Sequence, residues 1–344
     1  MSSKPFLSVV VVGRNDNYGG DFTQRLQNCI TWNTKFLEQN KIDTEFILVN
    51  WNPVEENKPL SDEIDWPKKR NHVNYRILTV SSDLHKTFIN PEIRDTVPLF
   101  EFIAKNVGIR RATGEYLLLI NGDILIHPKI FESINSAFLK EKTYYRVDRL
   151  DYESTNDLSV ENLYEKGFML FKKGFYYQLK SWLDKKKQIK RLDKINRWKV
   201  DWNLWKFKHE AILKYLMFTI DYNNGGFQAH CQASGDFMLM KRAHWLEMKG
   251  YPEYTSISTH TDSLFTILAK ARFNEVVFDV PVFHQAHERR YGWGDIQKQN
   301  EKFAKAYRFF EGVAIVVREN RPIEEFLNDD EWGLADIQIP EKSF

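Results

Sequence analysis

Glu115-Tyr-Leu-Leu-Leu-Ile-Asn-Gly-Asp123 decides how the rest of the chain is read. The apolar run from Tyr116 to Ile120 has the length and character of a strand buried on both faces of a parallel sheet, and it stops abruptly at Asn121-Gly122-Asp123. In open α/β sheets ligands bind outside the carboxyl ends of the strands. The pattern therefore places Asn121 and Asp123 at the rim of such a crevice, with Gly122 allowing a tight turn between them. Residues two apart in an extended chain can point to the same side. Upstream, Glu101 to Thr113 reads as a helix with apolar Phe102, Ile103, Val107 and Ile109, closed by Gly114 as a C-terminal cap.

The N-terminal part repeats the same switch from apolar to polar. Phe6 to Val12 predicts a central parallel strand that ends in Gly13-Arg14-Asn15-Asp16. Phe22 to Glu38 reads as a helix whose apolar side carries Leu26, Ile30, Trp32, Phe36 and Leu37. A second strand, Glu45 to Val49, runs into Asn50-Trp51-Asn52-Pro53, where proline forbids further pairing. Pro53 to Val73 is a polar surface excursion, and Tyr75 to Val80 is a third strand. Three such units before the Asn-Gly-Asp strand predict an α/β chain with a nucleotide-binding half-sheet. Neither a Gly-x-Gly-x-x-Gly fingerprint nor a P-loop is present. A diphosphate without such a loop needs a cation to neutralise it, so a divalent metal, Mn²⁺ or Mg²⁺, is expected at Asp123.

Composition bounds the alternatives. With 344 residues and 42% apolar content the chain has ample core, and a net charge of +2 gives no global attraction to nucleic acid. Its two cysteines, Cys29 and Cys231, lack metal-site spacing and read as reduced thiols. No run is long and apolar enough to span a bilayer, and the first residues lack the apolar core of a signal peptide; a cytoplasmic or membrane-surface protein is the expectation.

Lys105, Asn106, Gly108, Ile109, Ala112 and Gly114, followed by Asn121-Gly122-Asp123, form an ordered series. The series resembles the family-two-like glycosyltransferases of the GT-A fold, which are inverting nucleotide-sugar transferases. The chain departs from that pattern at Asn121, which stands where the family usually has its first aspartate. The resemblance implies a Rossmann-like, mainly parallel central sheet flanked by helices. Residues 1–150 would be the nucleotide-sugar-binding half, 151–222 a basic helical insertion, 223–300 the acceptor-binding and catalytic half, and 301–344 a C-terminal helix and tail. It also implies that Gly13, Arg14, Asn15 and Asp16 begin the base-binding segment, that Asn50 or Asn52 faces the nucleobase, and that Lys105 and Asn121 contact the donor. Asp123 would be the metal ligand.

The later motifs extend this series. Residues 172–199 are crowded with lysines and arginines between aromatic and aliphatic side chains, with Ile189, Leu192, Ile195 and Trp198 at helical spacing. Such a basic amphipathic helix suits an anionic membrane surface or a phosphate-bearing, lipid-linked acceptor, but charge runs are usually solvated faces, and a solvated insertion whose lysines face water is the preferred reading. Gly235-Asp236 precedes a short apolar strand, as in the acceptor half of many sugar transferases, where Asp236 would accept hydrogen bonds from sugar hydroxyls or else cap local backbone. Asp262 opens a helix; it is a first-turn acid by position and the general base by resemblance, although Thr261 precedes it where relatives carry an acid. Glu275 to Val280 reads as the last sheet strand. Beyond it the resemblance assigns His287 or His284 to the metal, His287 preferred, and Arg289 and Arg290 to the diphosphate. Tyr291-Gly292-Trp293-Gly294 has the glycines of a closing lid.

Taken together with these residues, the resemblance implies a metal-dependent, inverting hexosyl- or pentosyltransferase. It would take a UDP- or GDP-sugar donor to a hydroxyl of a glycan or lipid-linked acceptor and would have no nucleic-acid partner. A catalytically impaired sugar-binding protein and a nucleotidyltransferase are the alternatives; the second calls for a lysine-bearing glycine loop after the first strand, which is missing.

Overall fold

Four consecutive valines, residues 9–12, start a strand that only a sheet covered on both faces can accommodate, because successive side chains point to opposite sides. The computed structural model describes residues 4–91, 94, 97–134, 137–152, 158–168, 229, 231, 233–255, 261–287 and 312–344. In it β1 (Leu7–Gly13) is buried throughout and lies between β2 (Thr44–Trp51) and β4 (Tyr116–Ile120), both parallel to it. The helices α1 (Phe22–Gln39), α2 (Leu60–Glu63), α3 (Ser82–Phe88) and α4 (Glu101–Arg111) lie between or after these strands in the chain. Val9 and Val11 pack with Leu26 and Ile30 of α1 on one face, while Val10 and Val12 pack with Ala104 and Val107 of α4 on the other. The result is an α/β sandwich with a mainly parallel central sheet and helices on both faces, the expected class.

Outward from β1 the order continues through β2 to β3 (Val73–Val80) and then to β12 (Glu341–Ser343), an antiparallel edge strand from the tail. On the other side, β4 pairs antiparallel with β9 (Phe237–Lys241), β9 antiparallel with β6 (Thr143–Arg146), and β6 parallel with β10 (Asn274–Val277). A second, small sheet holds β5 (Ile124–Leu125), β11 (Val282–Gln285), β7 (Arg149–Tyr152) and β8 (Gly167–Phe168) in that order. The helices α5 (Pro128–Ser133), α6 (Val160–Glu165), α7 (Arg242–Glu247) and α8 (Thr261–Lys270) complete the labelled elements.

Two expectations are corrected. The predicted last strand, Glu275 to Val280, ends at Val277, and Val282–Gln285 is a further strand in the other sheet; Pro281 separates the two. The helix over 101–113 stops at Arg111, and Gly114 is not its cap, since Ala112 already takes extended geometry. Gly114 is needed because β1 passes too close. A β-carbon there would sit 2.6 Å from Ser8 Oγ and 2.7 Å from Ser8 N. The tail supplies the edge strand β12. Of the expected insertion 151–222, residues 151, 152 and 158–168 are described and lie in or beside β7, α6 and β8; its basic stretch 172–199, the Tyr291–Gly294 loop, and Arg289 and Arg290 lie outside the described residues.

Glu45 secures the near end of this sheet. Its carboxylate, 5% exposed, accepts from Ser8 Oγ at 2.5 Å, from the Thr113 backbone N–H at 2.5 Å and from Arg76 at 2.5 Å. Burial raises its pKa, but the hydrogen bonds from Ser8, Thr113 and Arg76 outweigh that and hold it below the ordinary value of 4.5. A carboxyl depressed in the folded state stabilises above its unfolded pKa and loses that contribution as pH falls through the folded value. Glu45→Gln should therefore cost about 2–3 kcal/mol at pH 7, with the gap to wild type narrowing at pH 3, as urea titrations at the two values will measure.

Candidate functional site

The polar chemistry collects where β4 ends. Because β9 runs antiparallel to β4 with Ile120 opposite Phe237, the residues after β4 meet the residues before β9. Asn121 and Asp236 are thereby neighbours although 115 positions apart. The small sheet then adds a third segment. His284 pairs with Ile124 across β11 and β5, and the Gln285 N–H donates to the Asp123 carbonyl at 3.1 Å, so β11 is laid directly beside Asp123.

Asp123 is 8% exposed, and its Oδ2 lies 3.3 Å from His287 Nε2, 3.5 Å from His284 Nε2 and 4.0 Å from Arg25 Nε. Its Oδ1 is buried without a hydrogen-bond partner. One ligand atom from each of Asp123, His284 and His287 falls within 4.8 Å of the others. Both histidines offered by the sequence thus reach the aspartate. On the far side of His284, Nδ1 meets Asp151 Oδ1 at 2.6 Å. A carboxylate behind a ligating imidazole fixes its tautomer and aims the other nitrogen at a metal. An orphaned buried carboxylate oxygen, two converging Nε2 atoms and that backing carboxylate fit a divalent ion. Two imidazoles favour a first-row transition ion such as Mn²⁺ over Mg²⁺, which prefers oxygen.

Without such an ion the charge is balanced by protons. Burial opposes charge on His284, but Asp123 and Asp151 on either side push its pKa up to about 10; Asp123, despite its own burial, is held well below the usual carboxylate range by His284 and His287.

From Asp151 the network continues inward. Arg149 lies 3.2 Å from Asp151 and 2.8 Å from Asp236 Oδ2, and despite burial, which lowers it, these carboxylates raise its pKa. Asp236 Oδ1 accepts from Asn121 Nδ2 at 3.0 Å, and Asn121 Oδ1 accepts from Lys105 Nζ at 2.6 Å. Lys105 is completely buried and also donates to Glu101 Oε1 at 2.7 Å and to the Gly235 carbonyl at 2.6 Å. An ammonium group has three protons, and all three are used here. Lys105 therefore braces the site from within, its ammonium spent on protein acceptors.

The remaining sequence candidates divide into two groups. Asn15 is turned into the protein, where its amide donates to Val54 O at 2.9 Å and accepts from Val54 N at 2.7 Å. Asn52, in a left-handed conformation at φ 48°, donates to Pro98 O at 2.9 Å and accepts at its own carbonyl from Arg14 Nε at 2.6 Å. Arg14 also pairs with Asp16 at 2.7 Å. These four stitch the loops after β1 and β2 together and shape the rim of the crevice. Gly13 packs under the Phe22 ring, with room for no β-carbon. Asn50 differs: it is 4% exposed, and its side-chain oxygen has no hydrogen-bond partner. Asp262 stands in the first turn of α8 beside Gly235, its Oδ2 3.5 Å from where a β-carbon on that glycine would be. Of the cysteines, Cys29 is buried, Cys231 is partly exposed, and both are free.

Sequence reasoning missed Asp151, Arg149, Arg25 and Glu101 as members of this site. Arg149-Leu150-Asp151 does alternate charged, apolar, charged, the period of a strand, and that was the available signal.

No protein-family profile matches the chain, and no curated protein matches it at a significant level. Among solved structures it is similar to S. aureus TarS 1–349, at 14% identity and a TM-score of 0.41, covering 81% of this chain and 60% of that one. It is also similar to a mannosyl-3-phosphoglycerate synthase from Rubrobacter xylanophilus, at 9% identity and a TM-score of 0.40, covering 99% of this chain and 86% of that one. The chain thus spans about three fifths of the length of the first of these.

Two outcomes follow from the geometry. Mn²⁺ binding must displace the proton that His284 holds between two carboxylates, so affinity should rise with pH across neutrality and about one proton should be released. Calorimetry in buffers of different ionisation enthalpy will count it, and the His284→Ala variant should release none. Second, Asn121→Asp, which restores the aspartate usual in the resembling family, should lower stability by about 1–3 kcal/mol, because the new oxygen would face Asp236 where an amide N–H now donates. An unchanged melting temperature would contradict this account of Asn121.

Proposed function

We propose that the chain is a GT-A glycosyltransferase that moves a hexosyl or pentosyl group from a UDP- or GDP-sugar to a hydroxyl of a glycan or lipid-linked acceptor, with a divalent metal and inversion at the anomeric carbon. The observation that carries this reading is the Asp123, His284 and His287 cluster at the carboxyl mouth of β4, in a sheet whose strands 1 to 4 are parallel. A nucleotide-sugar needs cationic neutralisation for its leaving diphosphate, and a metal at this cluster would supply it as a Lewis acid.

The chain's own residues divide the remaining work. Asp123, His284 and His287 would hold the ion, and Asp151 fixes the tautomer of His284. Asp236, with one lone pair left on each oxygen, would accept from donor-sugar hydroxyls beside Gly235. Asn50, whose buried side-chain oxygen lacks a donor, would take one from the nucleobase. Asp262, partly exposed at the start of α8, would accept the proton of the incoming hydroxyl as that oxygen attacks the anomeric carbon. Arg289 and Arg290 would add positive charge at the diphosphate, and the basic stretch 172–199 would receive a lipid-linked acceptor at a membrane surface. Among the described residues no helix is long and apolar enough to cross a membrane.

A catalytically impaired sugar-binding protein is the second reading, motivated by Asn121. The bonds of Asn121 to Lys105 and Asp236 supply a different reason for the amide and favour the enzyme.

Thermal denaturation with a panel of UDP- and GDP-sugars tests the proposal. At least one donor should raise the midpoint in the presence of Mn²⁺ and not in EDTA, and Asp123→Ala should abolish the shift. Stabilisation that is equal without metal, with no nucleoside diphosphate released, would replace the transferase by the impaired binder.

A further inference from the structure

The acid expected before Asp262 is absent from its own segment, where Thr261 stands, yet a second carboxylate reaches the same place from elsewhere in the fold. Gly235 marks the point. A β-carbon built on it would lie 3.2 Å from Glu101 Oε1 and 3.5 Å from Asp262 Oδ2. The two carboxylates therefore flank one glycine, with the Phe102 ring, 3.4 Å from the same β-carbon position, completing the turn's surroundings. Glu101 opens α4, 161 positions before Asp262, and its side chain keeps 30% of its surface open while its Lys105 partner is fully covered.

The local charges suit such a pair. The Glu101 oxygen that faces Gly235, Oε1, is the one held by Lys105 Nζ at 2.7 Å, which fixes the side chain over the turn and leaves Oε2 as the oxygen to meet a hydroxyl. Burial raises the pKa of Glu101 against the opposing effect of Lys105, and Asp262 and Asp236 add to the rise. Two acids whose environments differ, one braced by an ammonium and one at a helix start, are a recurring arrangement for proton transfer.

We infer that Glu101 is the second carboxylate of the acceptor site, standing with Asp262 over the Gly235 turn and receiving with it the proton of the incoming hydroxyl. The inference rests on the glycosyltransferase reading. In the step, the acceptor O–H bond breaks and its proton passes to a carboxylate oxygen of the pair. The freed oxygen pair forms the bond to the anomeric carbon, and the bond from that carbon to the diphosphate oxygen breaks, its electrons leaving with the nucleoside diphosphate. With water as acceptor the same balance yields free sugar, nucleoside diphosphate and one proton.

The test uses the full chain with Mn²⁺ and UDP-glucose, UDP-N-acetylglucosamine and GDP-mannose. Donor affinity is measured by calorimetry, and release of nucleoside diphosphate to water is followed in parallel. Glu101→Gln should leave the Kd of the donor that binds within about threefold and lower the rate of release about 10²-fold, the range for one general base. Asp262→Asn should do the same, and the double variant should be little worse than the poorer single one, because groups acting as a unit are not additive. Glu101→Asp, which keeps the charge on a shorter arm, should recover part of the rate, and an unchanged Mn²⁺ affinity in each variant reports an intact fold. Release at the wild-type rate by Glu101→Gln would overturn the pair and leave the transferase reading standing. Donor binding with no release by the wild type would also overturn it as a base acting on water. If none of the three donors binds the wild type with Mn²⁺, the transferase reading falls and the inference with it.

Discussion

Arg149 occupies the position on which the rest of the site depends. Its guanidinium lies between the buried carboxylates of Asp151 and Asp236, and each of these leads to a different part of the chemistry. Asp151 backs His284 and so the Asp123, His284 and His287 cluster; Asp236 backs Asn121 and, through it, Lys105 and Glu101. Charges buried together survive only when each has an opposite partner and its hydrogen-bonding capacity is met. Arg149 meets that requirement for two acids at once, and a planar fork of donors is the group able to do so in fixed geometry. Removing it would leave two carboxylates facing each other in a poorly hydrated interior.

The sheet topology explains why these residues can meet at all. A parallel β4 delivers Asn121 and Asp123 at its carboxyl end. An antiparallel neighbour, β9, delivers Gly235 and Asp236 from its amino end to the same edge. Had β9 run parallel, its preceding turn would lie at the opposite edge of the sheet, and Asp236 could not reach Asn121. The small sheet performs the same service for histidine: β11 lies between β5 and β7, so His284 is placed with Asp123 on one side and Asp151 on the other. Two strand registers thus assemble the Asp-His-His cluster and the carboxylate behind it.

The same network accounts for Asn121. Lys105 can only donate and the ionised Asp236 can only accept, so the residue between them must accept on one side and donate on the other. An amide does both; a carboxylate does not. Where the resembling family uses an aspartate, this chain has placed a neutral relay between an ammonium and a carboxylate. The carboxylate supply near Gly235 comes from Glu101 and Asp262, which flank that glycine.

How much of this could be read from the residues alone follows from the range of the interactions involved. Buried strands declare themselves locally, because apolar runs such as Val9–Val12 and Tyr116–Ile120 have no other stable setting, and polar residues at their ends mark the mouth of a crevice; the α/β class, β4 and Asp123 were legible for that reason. The family resemblance, not period or charge, pointed to Asp262 and to the two histidines and preferred His287, whereas both histidines reach Asp123 once β11 is folded against β5. What tertiary structure alone decided is pairing across distance. That Lys105 is spent internally, that Asn15 and Asn52 turn into the rim, that Arg149 joins two acids, and that Glu101 stands beside Asp262 each depend on contacts between segments far apart in the chain. Local sequence carries the tendency of a segment to be strand, helix or turn; which charge faces which is set by register and by the direction of neighbouring strands.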